Sequence, residues 1–323
     1  MTELSASGLP DYDSLPEAEA GGRSGWGLFG GDDSIGLINL QTPERIKDAA
    51  QLIRKGSVFP LNAPVDLISH PLFGRGRPKH NWKTIGDIEF DDWLDNFYLQ
   101  GSTQWDSLAH YGYLPNRFYN GADLDSLKGG ARNTIEHWAR RGIVGRAILL
   151  DVARVLADSG REFSPAEPYP ISVEDLEAAR LQANVSYKPG DIWLIRTGYL
   201  SWYETLTDSQ RRSLAENDDP PSAGLEHSEA VARYVWNNHA SAIAADNTSL
   251  EVTPADMTAG IRPFGLLHTV LIGLFGLAVG ELWWLENLAA DCATDGVYQM
   301  FLTSSPIHLP GGFGSPANAI AVK

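Results

Sequence analysis

Residues 99–112 read LQGSTQWDSLAHYG, which places a carboxylate and an imidazole four residues apart behind two glutamines. Asp106 can hold a cation, and His110 can transfer protons near neutral pH. If FYLQGST (97–103) is a strand that continues to Asp106, the two-residue period puts Gln100, Ser102, Gln104 and Asp106 on one face. A turn or short helix after Asp106 would then swing His110 back over them. The same spacing also fits a purely structural arrangement, in which Asp106 caps a helix over 107–111 and His110 is a surface residue. Spacing alone does not separate the two.

Other chemistry-bearing residues are weaker candidates. Arg196, at the end of the IRTG run, suits either a substrate carboxylate or a buried ion pair with a core acid. Asp246 beside Asn247 reads as a turn. His70, His80, His137, His227, His239 and His308 form no ligand-spaced pair. The acid-rich DIEFDDWLD (87–95) lacks the spacing of a calcium loop and reads as a solvated face. There is neither a Gly-x-Gly-x-x-Gly turn for a dinucleotide nor a Gly-x-Ser-x-Gly elbow for a serine hydrolase.

These residues need a scaffold, and the chain is long enough to build one. Its 323 residues are 43% hydrophobic and 20% charged, with 10 tryptophans. Short apolar strands are predicted at 147–153, 191–198, 241–247, 297–304 and 317–323, and helices at 42–56, 171–182 and 228–238. Thr42, Pro43 and Gly56 would start and stop the first helix, with Ile46, Ala49, Ala50 and Ile53 as its buried stripe. Ser172 and Asp175 form a capping box for the second. Strands alternating with helices predict an α/β domain. The intervening 66–92 and 111–133 read as long loops on either side of the opening motif, a usual place for function. Residues 1–25, rich in Ser, Gly, Pro and acids, are expected to be a flexible arm, and 26–323 a single domain.

Composition narrows the function. A net charge of −16 argues against nucleic acid, which needs a basic face. The apolar stretch from Phe264 to Leu285 contains His268, Glu281 and four glycines, so it is expected to be a buried helix, 267–275, followed by a buried strand rather than a membrane span. The single cysteine, Cys292, forbids an intramolecular disulfide and a thiolate cluster. With no basic-then-apolar leader pattern at the N-terminus, the expected location is the cytoplasm.

GSTQWDSLAH resembles the signature of the metal-dependent cyclase-type hydrolases, which include kynurenine formamidase and isatin hydrolase. That signature is His-x-Gly-Thr-His-x-Asp-x-Pro-x-His. Its two early histidines fall on Gln100 and Gln104, its aspartate on Asp106 and its last histidine on His110. GIVGRAILLDVA (142–153), GDIWLIRTGY (190–199), AADNTSLE (244–251), LLHTVLIGLFG (266–276) and GGFGSPANAIAV (311–322) follow in the family's order, so the resemblance runs from about Trp26 to the end. FYNG (118–121) and the glutamine-bearing motif are similar to a longer branch of the family. The resemblance implies a layered mixed β core with flanking helices, of the swivelling β/β/α type. It also implies a divalent ion held by the signature residues with a later histidine and acid, here His268 and Glu281, with Glu286 as the competing acid.

In this family the last signature histidine, His110 here, transfers the proton. Glutamine amides in place of two imidazoles should weaken zinc, so Mn²⁺ is favoured over Zn²⁺. The expected set is Gln104, Asp106, His268 and Glu281, with Gln100 behind them. Trp105, Phe73, Tyr111 and Tyr119 are candidate walls for a small-molecule substrate. The implied reaction is hydrolysis of a cyclic amide, a lactone or an aryl amide. Alternatives are a polyketide-type cyclase or dehydratase, and a metal-free binding protein on the same scaffold. A homodimer or homotetramer is expected by analogy, with no nucleic-acid or membrane partner.

Overall fold

A computed structural model describes residues 8–256 and 263–323. Its strands, in chain order, are β1 (Val58–Pro60), β2 (Lys79–Ile85), β3 (Glu89–Asp95), β4 (Gln104–Asp106), β5 (Ile143–Asp151), β6 (Pro170–Ile171), β7 (Ile192–Arg196), β8 (Gly224–Leu225), β9 (Ala242–Ala245), β10 (Ala278–Glu281), β11 (Gln299–Ser304), β12 (Gly314–Pro316) and β13 (Ala319–Val322). Nine of them form one mixed sheet in the order β1-β13-β11-β5-β7-β9-β10-β4-β12. The middle of the sheet, β5-β7-β9-β10, is parallel, while β11, β13 and β1 on one side and β4 and β12 on the other run antiparallel to their neighbours. Parallel strands are covered on both faces by crossover helices, which is why these read as unbroken apolar runs. Ala147–Leu150, Ile192–Ile195 and Ala242–Ala245 are all fully buried. The α/β class and the curled mixed sheet flanked by helices agree with the expected architecture.

Helix signals are read well at starts and less well at ends. The Val173–Gln182 helix carries the Ser172–Asp175 capping box in both directions. Thr42 caps the first helix, but this helix stops at Ala50 instead of continuing toward Gly56. Gln51 N–H and Leu52 N–H close three residues back onto Asp48 and Ala49, which tightens the last turn. Ile53 is therefore 37% exposed and not part of a buried stripe.

Residues 8–25 lie against the body. Leu9, Tyr12 and Leu15, spaced three apart, enter the main core. The Trp236 indole donates to Pro10 O (2.8 Å), and Tyr12 N–H donates to Asn237 Oδ1 (2.7 Å). A polar, proline-bearing composition reads as a loose arm over 1–25; residues 1–7 lie outside the described residues, and these three apolar side chains anchor residues 8–25.

Two segments differ from their sequence reading. Residues 97–103 form a turn and not a strand, closed by Gly101 N–H on Tyr98 O (2.9 Å), so the strand begins at Gln104. The supposed loop at 66–92 holds most of a β2–β3 hairpin, paired from Lys79↔Asp95 to Ile85↔Glu89. The Phe264–Leu285 segment divides as expected, but into a shorter helix, Leu267–Leu271, and then β10. Among the described residues no helix is long and apolar enough to cross a membrane.

Candidate metal and proton-transfer site

β4 lies between β10 and β12, with Gln104 opposite Glu281 and Pro316, and Asp106 opposite Val279 and Gly314. Directly opposed residues share a face. The ladder therefore delivers Gln104, Asp106 and Glu281 to one side of the sheet and sends Trp105 to the other. All three polar side chains are buried. The Gln104 amide donates through Nε2 to Glu281 Oε2 (2.5 Å).

His268 enters from the first turn of the Leu267–Leu271 helix. Glu251 positions it, since its carboxylate accepts from Leu267 N–H, from His268 N–H (3.0 Å) and from His268 Nδ1 (2.5 Å). A carboxylate there also satisfies backbone donors left open at a helix start. His268 Nε2 is thereby aimed at Glu281 Oε1 (3.2 Å) and Asp106 Oδ2 (3.8 Å). His110 reaches the group from a tight turn in which its N–H bonds Ser107 O (2.9 Å). Its Nε2 stands 3.7 Å from Asp106 Oδ1, and a quarter of its side chain is open to the cavity (26%). Asp106 caps no helix: neither of its oxygens has a hydrogen-bond partner, and Gln104 Oε1 also lacks one.

Asp106, His268 and Glu281 each offer a ligand atom, and these atoms lie within 4.8 Å of one another. Buried oxygens without donors, next to a second carboxylate and an imidazole, are a fit for a divalent cation. The electrostatics agree. Burial and repulsion from Asp106 push Glu281 above the usual carboxylate range. Burial also acts against ionised Asp106, but His110, His268 and Arg75 outweigh it and leave that group lowered. His268 is disfavoured as a cation by burial, yet Asp106, Glu251 and Glu281 together raise it well above an ordinary imidazole. Glu251 ionises at about 2, because hydrogen bonds from His227, His268 and the Leu267 N–H overcome its burial.

A cavity of about 210 Å³ opens onto this group, and Phe73, Arg75, His110, Tyr111, Glu251, His268 and Glu281 are among its lining residues. Of the aromatics named as walls, Phe73 and Tyr111 are there. Trp105 and Tyr119 are not. Trp105 faces the core, with its indole donating to Ser304 Oγ (2.8 Å) and its ring packed on Trp283 (4.7 Å). Tyr119 is buried elsewhere, with its hydroxyl on Asp33 (3.1 Å) and its ring against Gly276, where any Cβ would collide.

Gln104, expected as a cation ligand, holds Glu281 through Nε2 and keeps Oε1, the atom with which an amide ligates, without a partner. Gln100 lies behind, its amide filling the space that a side chain on Gly314 would take. Glu286 is removed as the competing acid, because it pairs with Arg196 (2.8 and 3.0 Å), which also binds Asp151 (2.8 Å). That resolves Arg196 as an ion-pair residue. Asp246 organises a turn by accepting from Thr197 and Gly198.

Sequence reasoning missed Glu251, Arg75 and His227. Glu251 stood in a quoted family segment but had no spacing signal of its own. Arg75 donates to Gln100 O (2.6 Å) and stacks on Phe73 (5.1 Å), while His227 Nε2 lies 3.1 Å from Glu251 Oε2. Glu251→Ala strands several buried donors at once, so it is expected to destabilise the fold by about 3–5 kcal/mol. Losing a partner that orients a ligand should also weaken cation binding about 10–100-fold. Urea unfolding and a cation titration measure the two effects. A stability change under about 1 kcal/mol would show that Glu251 does not hold the helix start.

The Cyclase family model matches residues 63–252. Among solved structures, the chain is similar to a novel cyclase at 35% identity and TM-score 0.81, covering 93% of this chain and 99% of that one. It is also similar to isatin hydrolase A from Ralstonia solanacearum (16% identity, TM-score 0.60, covering 83% and 92%). Isatin hydrolase A from Labrenzia aggregata, bound to benzyl benzoate, gives 15% identity and TM-score 0.58, covering 84% and 94%. At those two identities the likeness is one of fold. No curated protein matches the chain significantly.

Proposed function

Because this chain belongs to the cyclase family, we propose that it is a metal-dependent hydrolase that opens a cyclic amide or lactone, or cleaves an aryl amide. The observation that carries this reading is the buried Asp106–His268–Glu281 group, in which neither Asp106 oxygen has a hydrogen-bond partner. These three residues would hold one divalent cation, with Gln104 fixing Glu281 and Glu251 fixing His268. One imidazole among oxygens is a hard set, which favours Mn²⁺ over Zn²⁺. Such a cation supplies Lewis acidity toward a carbonyl and toward water.

His110 is the base with access to the cavity. It takes a proton from the attacking water as the oxygen bonds to the carbonyl carbon. As the C–N or C–O bond breaks, it returns that proton to the departing nitrogen or oxygen. The product is a carboxylate. Phe73 and Tyr111 present flat apolar walls to a ring, and Arg75 offers guanidinium donors at the rim.

The test is to strip the protein with a chelator, restore Mn²⁺, Zn²⁺ or Mg²⁺ singly, and measure ion content alongside turnover of small lactones, imides and aryl formamides in ¹⁸O-water. The expected result is one ion per chain, activity highest with Mn²⁺, and one labelled oxygen in the product. Failure of every cation to bind would overturn the proposal and leave a binding protein. Turnover without label would replace hydrolysis by cyclisation or dehydration.

A further inference from the structure

Beyond His110 and Tyr111 the chain continues through GYLP (112–115) and lines a second, larger cavity of about 560 Å³. Gly112 permits the turn here, since a Cβ would lie 2.8 Å from Arg117 O. Tyr113 N–H on Arg117 O (2.8 Å) and Arg117 N–H on Leu114 O (2.9 Å) close it. The Tyr113 hydroxyl donates to Gly21 O (3.3 Å) and accepts from Ala20 N–H, and its ring meets Trp26 edge-on (6.4 Å). That wall is therefore fixed before a ligand arrives.

The second cavity adjoins the first. His110, Tyr111 and Leu266 line both, and the Tyr111 ring lies 5.8 Å from that of His268 and 6.5 Å from that of His110. The two spaces differ in chemistry. Arg75, Glu251 and Glu281 line the first. Tyr113, Leu114, Pro115 and Phe118 line the second, and no lysine or arginine is among the described residues around it, while Asp256 is. Leu114 and Phe118 are partly buried, so some of their apolar surface stays within reach of a ligand. Small-molecule sites usually measure roughly 300–1,000 Å³. The cavity of about 210 Å³ beside the cation group falls below that range, and the second lies inside it.

We propose that the second cavity takes an apolar, uncharged substituent on the departing side of the substrate: an alkyl or aryl group on the carbon that bears the ring oxygen or nitrogen of a lactone or lactam. His110 fixes the side. It returns its proton to the departing atom and opens onto both spaces, so the carbon attached to that atom lies toward the second cavity. The carbonyl stays with Asp106, His268 and Glu281. Charge fixes the kind of substituent. An anionic tail would meet Asp256 and no cation among the described lining residues, whereas an apolar one buries against Tyr113, Leu114 and Phe118. Placing the tail on the departing side rests on the hydrolase reading; the choice of an apolar, uncharged group does not.

The experiment uses two series of butyrolactones carrying methyl, butyl or octyl, one on the carbon bearing the ring oxygen and one on the carbon next to the carbonyl. Turnover is read on the Mn²⁺-loaded protein, and binding by calorimetry on the metal-free protein. In the first series kcat/KM is expected to rise about 2–4-fold per added methylene until the cavity is filled. Affinity should rise in parallel, with a negative heat-capacity change. The second series should stay flat. Leu114→Trp, which takes up the space, should flatten the first series. Leu114→Lys should turn the preference toward a carboxylate-ended substituent, a reversal that misfolding does not produce. Lactone turnover and binding indifferent to the first substituent would overturn the proposal and leave the hydrolase reading intact. Binding that follows length and is lost in Leu114→Trp, without turnover of any lactone, would remove the hydrolase reading and keep the cavity's apolar ligand. A length dependence that both variants leave intact overturns the proposal, because the tail would then lie elsewhere. Absence of both binding and turnover overturns both.

Discussion

His110→Ala is expected to lower turnover by about 10²–10⁴-fold while leaving ion content unchanged. The geometry separates the two effects. His110 Nε2 is 3.7 Å from one Asp106 oxygen, yet the residue lies outside the compact group of three ligand atoms and keeps a quarter of its surface toward the cavity. Its backbone is held by Ser107 and not by the site, so truncation leaves the turn in place. Elemental analysis and initial rates on the same preparation check the result. If ion and activity disappear together, His110 is itself a ligand. If turnover falls less than about tenfold, water or another group moves the proton.

Asp106→Asn should remove the ion altogether and turnover with it. Burial and the neighbouring Glu281 act against an ionised Asp106, but His110, His268 and Arg75 outweigh them and hold it lowered, with the two imidazoles 3.7 and 3.8 Å from its oxygens. An amide forfeits that attraction. The metal-free variant is therefore expected to melt below the metal-free wild type. Added Mn²⁺ should raise the melting temperature of the wild type only, because stabilisation by a ligand requires a site in the folded state. Thermal melts with and without Mn²⁺ read both arms. A wild type whose melting temperature Mn²⁺ leaves unchanged would mean that Asp106 serves the fold and not a cation.

Much of this site was legible in the sequence. The period-two step from Gln104 to Asp106 and the four-residue step to His110 gave three of its members. The resemblance supplied His268 and Glu281, which the ladder between β4 and β10 then brought to the same face. Other features were not legible, for identifiable reasons. Trp105 looked like a wall because it adjoins Asp106, but neighbouring strand residues point to opposite faces. Glu251 meets His268 only through the fold, and its ligand-like chemistry is spent on a helix start. The hairpin was hidden by its acids: DIEFDDWLD reads as a solvated face, and one side of β3 is indeed that, while Phe90 and Leu94 alternate onto the other. In the first helix, capping residues marked the start, but the end depended on how two amides closed the last turn, which apolar spacing does not record.

β4 is three residues long and is bonded along both edges, and those bonds are made by main chain and not by side chains. The place of Asp106 is therefore set without reference to what residue 104 carries. Exchanging amide for imidazole at that position would alter which ions are welcome without moving the carboxylate beside it. The scaffold separates where chemistry happens from which chemistry it is.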